Sequence, residues 1–469
     1  MAQETLKLEP IGTNNKDPTE ASVLLDKGDP NKTEKGVVDD YDPHLHREVE
    51  SPTTNAETLI HLLKGCLGTG ILAMPEAFKL SGMINGIIST FLIGVLCTYC
   101  LHVLVKAQYI MCKKLRVALL TYPDSMKIAC EMGPPCLRGF APYAPGLTNF
   151  FLIFYQMGIC CVYVVFVGKN LKYVGDVYTS QPLSLIIYML IVFIPFVLII
   201  CIKNLKLLAP FSILANIITL VTFGVVCYYI FQNLESFSDR PSVGYLVDYP
   251  LYFGTTLFSL QAVGVVIALE NNMATPKNFR QPFGVLNVGM ILVTLIYVGM
   301  GMMGYWRYGE KIESSITINF PIKEILAQVI IISYSIAIYI SYGLQGYVPV
   351  QIMWSNYFAK RMENVNEKKK AFYEYLLRIV CVIITFVLAM TVPLLGLFIS
   401  LVGSFCLSAL GIAFPAIIEM CANWPENSNP RTLLFWKDIL LIVVGVIGLS
   451  AGSYSAIYAI AQKLATGDF

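Results

Sequence analysis

Charge is what this chain has least of. Only 14% of its 469 residues are Asp, Glu, Lys or Arg, against about 25% in a typical soluble domain. So few charges cannot clothe a water-facing surface of this size. With 56% hydrophobic residues and a mean hydropathy of +0.64, the composition is that of an integral membrane protein. A net charge of +2 supplies no field that would gather nucleic acid. The N-terminal stretch lacks the apolar core of a signal peptide, which favours a start in the cytoplasm. No metal-ligand cluster, catalytic triad or nucleotide loop is visible, so neither an enzyme nor a bound cofactor is expected. None of the 13 cysteines falls in the loops expected outside the cytoplasm, which leaves no external disulfide to form. Cys97 and Cys100 form a C-x-x-C inside a membrane run, where thiols serve as small hydrophobes.

What the chain has is apolar runs long enough to cross a bilayer, about twenty residues each. They lie near 58–78, 84–105, 146–168, 183–202, 209–231, 250–272, 283–305, 325–354, 375–393, 395–418 and 435–460. The fold class expected is therefore all-α, with eleven transmembrane helices in one domain over 58–462. Residues 1–57 carry 13 acidic and 6 basic side chains without helical periodicity, and a disordered cytoplasmic tail is expected there. Residues 463–469 make a short C-terminus on the other side. With the N-terminus inside, 24 Lys and Arg fall in cytoplasmic segments and 8 opposite, as the positive-inside rule demands.

Two of these runs contain weak helix formers at matching places. The first reads GCLGTGILAMP over 65–75, and the sixth, five spans later, reads LFSLQAVGVVIALENN over 257–272. Paired breaks of this kind mark transporters built from inverted repeats, here about 58–231 and 250–418, with the span at 435–460 as an extra helix. Non-helical backbone survives at membrane depth only where protein or water satisfies it. A break at Gly68-Thr69-Gly70 aims freed N–H groups and a positive helix end at one spot, a carboxylate site. The break in the sixth span offers carbonyls to an ammonium group. Together they suit an α-amino acid.

Close packing between helices is the other use of such glycines; Pro75 and the second break weigh toward binding. His61, Lys64, Gly65 and Gly68 share one helical face. An ionisable residue in a span invites a functional reading, and histidine titrates near neutral pH; a hydrogen-bonded bundle histidine is the alternative. Lys64 reads as a side chain reaching the interface. Tyr155, Gln156, Ser335, Tyr339 and Tyr342 are candidates for a cavity wall or for interhelical contacts. Glu270 closes the sixth run and reads as the start of a loop.

The stretches TLIHLLKGCLGTGILAMPEAFKLSG (58–82) and GVVIALENNMATPKNF (264–279) resemble the first and sixth spans of the proton-coupled amino acid transporters, solute carrier family 36, within the amino acid/auxin permease group. The similarity in layout covers nearly everything after residue 57. It implies the leucine-transporter-type five-plus-five fold and symport of protons with glycine, alanine or proline at the plasma membrane or the lysosome. It implies further that His61 serves proton coupling, that Gly68, Thr69 and Gly70 meet the substrate carboxylate, and that Phe258 and Ser259 lie at the sixth-span site with Phe258 as a gate. Cys66, Ala262 and Gly264 complete the expected pocket lining. The chain departs from the family at Leu260-Gln261-Ala262, where a carboxylate usually stands, and lacks the cysteines of the vertebrate external disulfide. It resembles a divergent invertebrate-type member.

The leading expectation is a secondary transporter of small neutral amino acids driven by protons. Two other readings stand beside it: a sensor signalling through a cytoplasmic partner, and a proton-independent facilitator or exchanger. In the tail, Glu20, Leu24 and Leu25 fit an acidic dileucine address for a sorting adaptor.

Overall fold

The first span begins three residues earlier than its hydropathy suggests. In the computed structural model, which describes residues 41–47, 49, 52–203, 205–232, 240–260, 262–362, 365–424 and 433–466, helix α1 (Asn55–Cys66) starts behind a capping box. The Thr54 N–H donates to Glu57 Oε2 at 2.8 Å and the Glu57 N–H to Thr54 Oγ1 at 3.3 Å, satisfying two donors of the first turn. The helix stops at Cys66, and α2 (Gly70–Ser81) resumes after Leu67-Gly68-Thr69 at 57° to it. The break expected from the glycines is present. At the far end of α2, Gly82 turns the chain with φ +83, and any side chain there would strike the backbone of Val243 and Gly244.

Four further apolar helices complete the first half: α3 (Met83–Leu115), α5 (Ala144–Gly175), α6 (Leu185–Ile200) and α7 (Leu205–Ile230), with the short α4 (Tyr122–Met132) between α3 and α5. The second half opens with α8 (Tyr249–Leu260) and α9 (Val263–Asn271), separated at the expected second break. Then come α10 (Val285–Tyr308), α11 (Ile325–Met353), α12 (Glu367–Thr391), α13 (Leu395–Ala422) and α14 (Leu433–Thr466). The centre of α13, Gly403–Ala413, is wound as π-helix. Several helices outrun their apolar stretches, because backbone hydrogen bonding continues past the hydrocarbon edge that hydropathy detects.

Among the described residues eight helices are each long and apolar enough to span, α8 and α9 together make a ninth span, and the bent α1–α2 pair makes a tenth. The run at 183–202 forms α6, which has 16 residues. At about 1.5 Å per residue it reaches roughly 24 Å, short of the ~30 Å hydrocarbon core. By length alone α6 falls short of a full span, while the other ten expected runs reach it.

Burial sorts these helices into centre and rim. Across their apolar windows α13 is 83% and α5 72% buried, whereas α7 and α12 are 28% and α14 17% buried. Helix α2 packs between α8 and α10, and α5 lies along α11. Although exposed on its outer face, α14 is seated closely on α8 and α13. A Cβ added at Gly445, Gly448 or Gly452 would come within 2.9 Å of Ser408 O, 2.7 Å of Phe253 Cε1 or 2.3 Å of Ser404 Oγ, the close approach that small residues permit in membranes. All thirteen cysteines are free thiols.

The described part of the N-terminal segment is a strap across the end of α9. Thr53 forms an isolated parallel bridge with Met273: its N–H donates to Asn272 O at 2.8 Å, and the Ala274 N–H donates to Thr53 O at 2.9 Å. Arg47 pairs with Glu270 at 3.0 Å, both side chains buried, and the His44 ring stacks on Tyr109 at 4.8 Å. The dileucine stretch at 20–25 and Gln261 lie outside the described residues.

Candidate functional site

The two helix breaks meet. Ser259, in the last turn of α8, donates from Oγ to Gly70 O at 3.1 Å and to Thr255 O at 2.8 Å. A Cβ at Gly70 would sit 3.0 Å from Ser259 Cα, so only glycine lets the two backbones come this close. The start of α2 and the end of α8 thus lie side by side, one presenting helix N–H groups and the other carbonyls. Their partial charges are opposite.

Thr69 precedes α2 without a side-chain cap. It is 3% exposed, and its Oγ1 has no hydrogen-bond partner. A buried hydroxyl left so costs about 1–3 kcal/mol, which a ligand at the break removes. Gln156 Oε1 on α5 is a second buried acceptor without a partner. Tyr155, beside it, faces the second break: a Cβ at Gly264 would lie 3.8 Å from Tyr155 Cε1. Cys66 and Ala262 are buried at the two breaks, and Phe258 is half-buried with its Cβ against Gly403 of the π-helical segment.

Tyrosines satisfy the backbone freed at the first break. Tyr297 on α10 donates to Cys66 O at 2.6 Å, and Tyr334 on α11 reaches Gly68 O at 3.5 Å. Tyr163 on α5 is the nearest side chain to the Cβ position of Gly68, its Oη 3.8 Å away. Sequence reasoning missed these three, though a tyrosine inside an apolar run is itself a signal, since its buried hydroxyl needs a partner. Of the tyrosines expected at a cavity wall, Tyr155 faces the second break, while Tyr339 and Tyr342 bond to neighbouring helices. Tyr339 donates to Pro195 O of α6 at 3.0 Å, and Tyr342 shares a 2.9 Å hydrogen bond with Thr385 of α12. Ser335 donates to Ile331 O within its own helix.

His61 lies two turns before the break, half-buried, with the Glu57 carboxylate one turn earlier in electrostatic reach. A Cβ added at Gly65 on the same face would lie 3.0 Å from Val265 Cγ2 of α9, and Lys64 is exposed. A second ionisable group was overlooked in the quoted motif. Glu76 on α2 lies so close to the start of α13 that a Cβ at Gly396 would overlap its carboxylate. Lys169, Lys463, Lys79 and Glu313 are its charged neighbours.

Residues 51–458 match the family described as transmembrane amino acid transporter protein. The chain belongs to that family. The transporter is 38% identical over 454 residues to the "proton-coupled amino acid transporter-like protein pathetic" of Drosophila melanogaster, covering 96% of this chain and 95% of that one. It is 25% identical over 439 residues to the "probable amino acid transporter skat-1" of Caenorhabditis elegans, covering 91% and 94%. Among solved structures it is similar to the nucleobase-cation-symport transporter MHP1 with bromovinylhydantoin bound (TM-score 0.49, 12% identity, covering 92% of this chain and 96% of that one). It is also similar to MhsT in complex with L-phenylalanine (TM-score 0.48, 11% identity, 89% and 100%). By its family and its apolar helices the transporter is a multi-pass membrane protein that moves amino acids, and not an enzyme, and the secondary structure of its described residues is helical apart from one isolated bridge.

Proposed function

We propose that the transporter carries small neutral amino acids together with protons by alternating access, in the plasma or lysosomal membrane, with its N-terminus in the cytoplasm. The observation that carries this reading is the junction of the breaks at Ser259 and Gly70, beside the partnerless Thr69 hydroxyl. A zwitterion places its carboxylate at the start of α2 and its ammonium at the end of α8, matching both partial charges. His61 is the proton acceptor on the first span. Glu76 is a second, on the opposite half of the same span, and offers a carboxylate to a chain that has Gln261 where the family usually has an acid. The 24 to 8 distribution of Lys and Arg supports the orientation.

The test is uptake of labelled alanine by the purified protein in liposomes, with and without an inward proton gradient. Accumulation above equilibrium is expected only with the gradient, and His61→Ala is expected to abolish that accumulation. Equal uptake without a gradient would turn the reading toward a facilitator or exchanger, which the glutamine at position 261 favours. Binding of alanine without flux would leave a sensor.

A further inference from the structure

On the N-terminal side of the protein, away from the helix breaks, a cavity of about 410 Å³ opens between α3, the start of the loop after α9, and α13. It is lined by Tyr99, His102, Lys106, Lys277, Arg280 and Glu419, with Val103 and Gln281 completing the wall. Three fixed cations thus face one carboxylate. That carboxylate is already engaged, by Lys437, and lies 3.7 Å from Lys106. Lys277 is held by Asp42 at 2.8 Å, and His102 Nε2 by Asn287 Oδ1 at 2.7 Å. Arg280 is different. It is half-buried and stacked over Tyr109 at 5.9 Å, with no carboxylate bonded to it among the described residues. A half-buried guanidinium that lines a basic cavity with no carboxylate bonded to it, the Glu270 within its electrostatic reach being paired with Arg47, suits a phosphate, which it can hold bidentately.

The surroundings say where that phosphate comes from. Lys106 directly follows the apolar run 84–105, so the cavity lies at the depth where hydrocarbon ends. Below it, Leu92, Val95 and Tyr99 form an exposed apolar stripe on α3, 65%, 66% and 41% exposed. Exposed Leu433, Trp436 and Leu440 do the same at the start of α14, whose Lys437 lies over the Tyr99 ring. An amphiphile can therefore rest its chains on that stripe with its head in the basic cavity, the arrangement by which basic pockets between helices hold anionic headgroups.

We propose that this cavity binds a phosphate-bearing headgroup of a lipid in the leaflet on the N-terminal side, with Arg280 as its principal ligand and Lys106 and Lys277 as flanking cations. In the orientation proposed above, that leaflet is the cytoplasmic one. Two of the three cations stand in the loop that follows α9, and Lys277 shares Asp42 with the strap. A bound headgroup therefore competes for the contacts that tie the strap to the second broken span.

The test uses the full chain in phosphatidylcholine nanodiscs and does not involve transport, so its failure is separate from that of the transport reading. The thermal unfolding midpoint is followed while adding dioctanoyl phosphatidylinositol bisphosphate, dioctanoyl phosphatidylcholine, inositol trisphosphate or inorganic phosphate. Saturable stabilisation by the phosphoinositide and none by phosphatidylcholine is expected. Arg280→Gln is expected to weaken that binding by roughly tenfold or more, since a charge-assisted hydrogen bond is lost. Should R280Q not accumulate, Lys277→Gln, whose side chain is 67% exposed, is expected to weaken it less but measurably. Equal stabilisation by inositol trisphosphate alone upholds the phosphate site and overturns the lipid as its source. No stabilisation by any phosphate, or an unchanged affinity in R280Q and K277Q, overturns the proposal.

Discussion

Thr69 and Ser259 are both small, buried hydroxyl residues at the breaks, yet they differ in what their hydroxyls do. Ser259 is committed, bonding Gly70 O and Thr255 O, and so fixes how the halves of two spans meet. Thr69 is uncommitted, which makes it the better candidate for substrate contact. Thr69→Val keeps the shape and removes the hydroxyl. It is expected to raise the KM for alanine by roughly tenfold, the worth of about 1.4 kcal/mol, with little loss of protein in the membrane. An unchanged KM would remove Thr69 from the site. Gly68, Thr69 and Gly70 were legible as a break in the sequence because glycine and proline inside an apolar run are locally costly. Which of their groups stay free was not, since that depends on Tyr297 and Tyr334, more than 200 residues away along the chain.

The strap is the element whose role the sequence misrepresents most. Its polar composition reads as a tail, and Glu270 reads as the start of a loop. In the fold, Arg47 and His44 close over Glu270, and Thr53 bridges to Met273. The pairing is between residues far apart in sequence, so no local pattern announces it. The strap also carries a pH dependence. Burial, together with the positive charge of Arg47 and of Arg280 and Lys277 beyond it, lowers the His44 pKa to about 4, while Asp42 opposes the shift. A detached strap has an ordinary histidine near 6.5. Between these values the detached form binds more protons, so attachment is full above about pH 6.5 and weakens as pH falls toward 4. Hydrogen exchange at the amides of Thr53 and Thr54 is expected to quicken from pH 7.5 to pH 5 relative to the end of α9. His44→Phe, which retains a ring over Tyr109, is expected to flatten that change. An equal change in the variant would assign it to another group.

At the scale of the whole molecule, α14 is held against the centre by its small residues. Its glycines let it lie against the π-helical part of α13, which in turn supports α8 and the second break. Gly452→Leu drives a side chain into Ser404 Oγ, and overpacking of this kind costs about 1–3 kcal/mol or more. The expected outcome is a loss of monodisperse protein on size exclusion, with uptake per folded molecule less affected. Full recovery of G452L would mean that α14 is a loosely held addition.

Composition and hydropathy by themselves determined that this chain lives in a membrane, where its helices run and which two are broken, and the motifs at 58–82 and 264–279 carried the family resemblance. Those properties follow from solvation of short segments, and each segment carries its own hydropathy. The junction of the breaks at Ser259, the tyrosines that hold the freed carbonyls, the strap and the basic cavity were decided by tertiary structure alone. Each depends on groups brought together from distant parts of the chain, and such partners are chosen by packing, which no local stretch encodes.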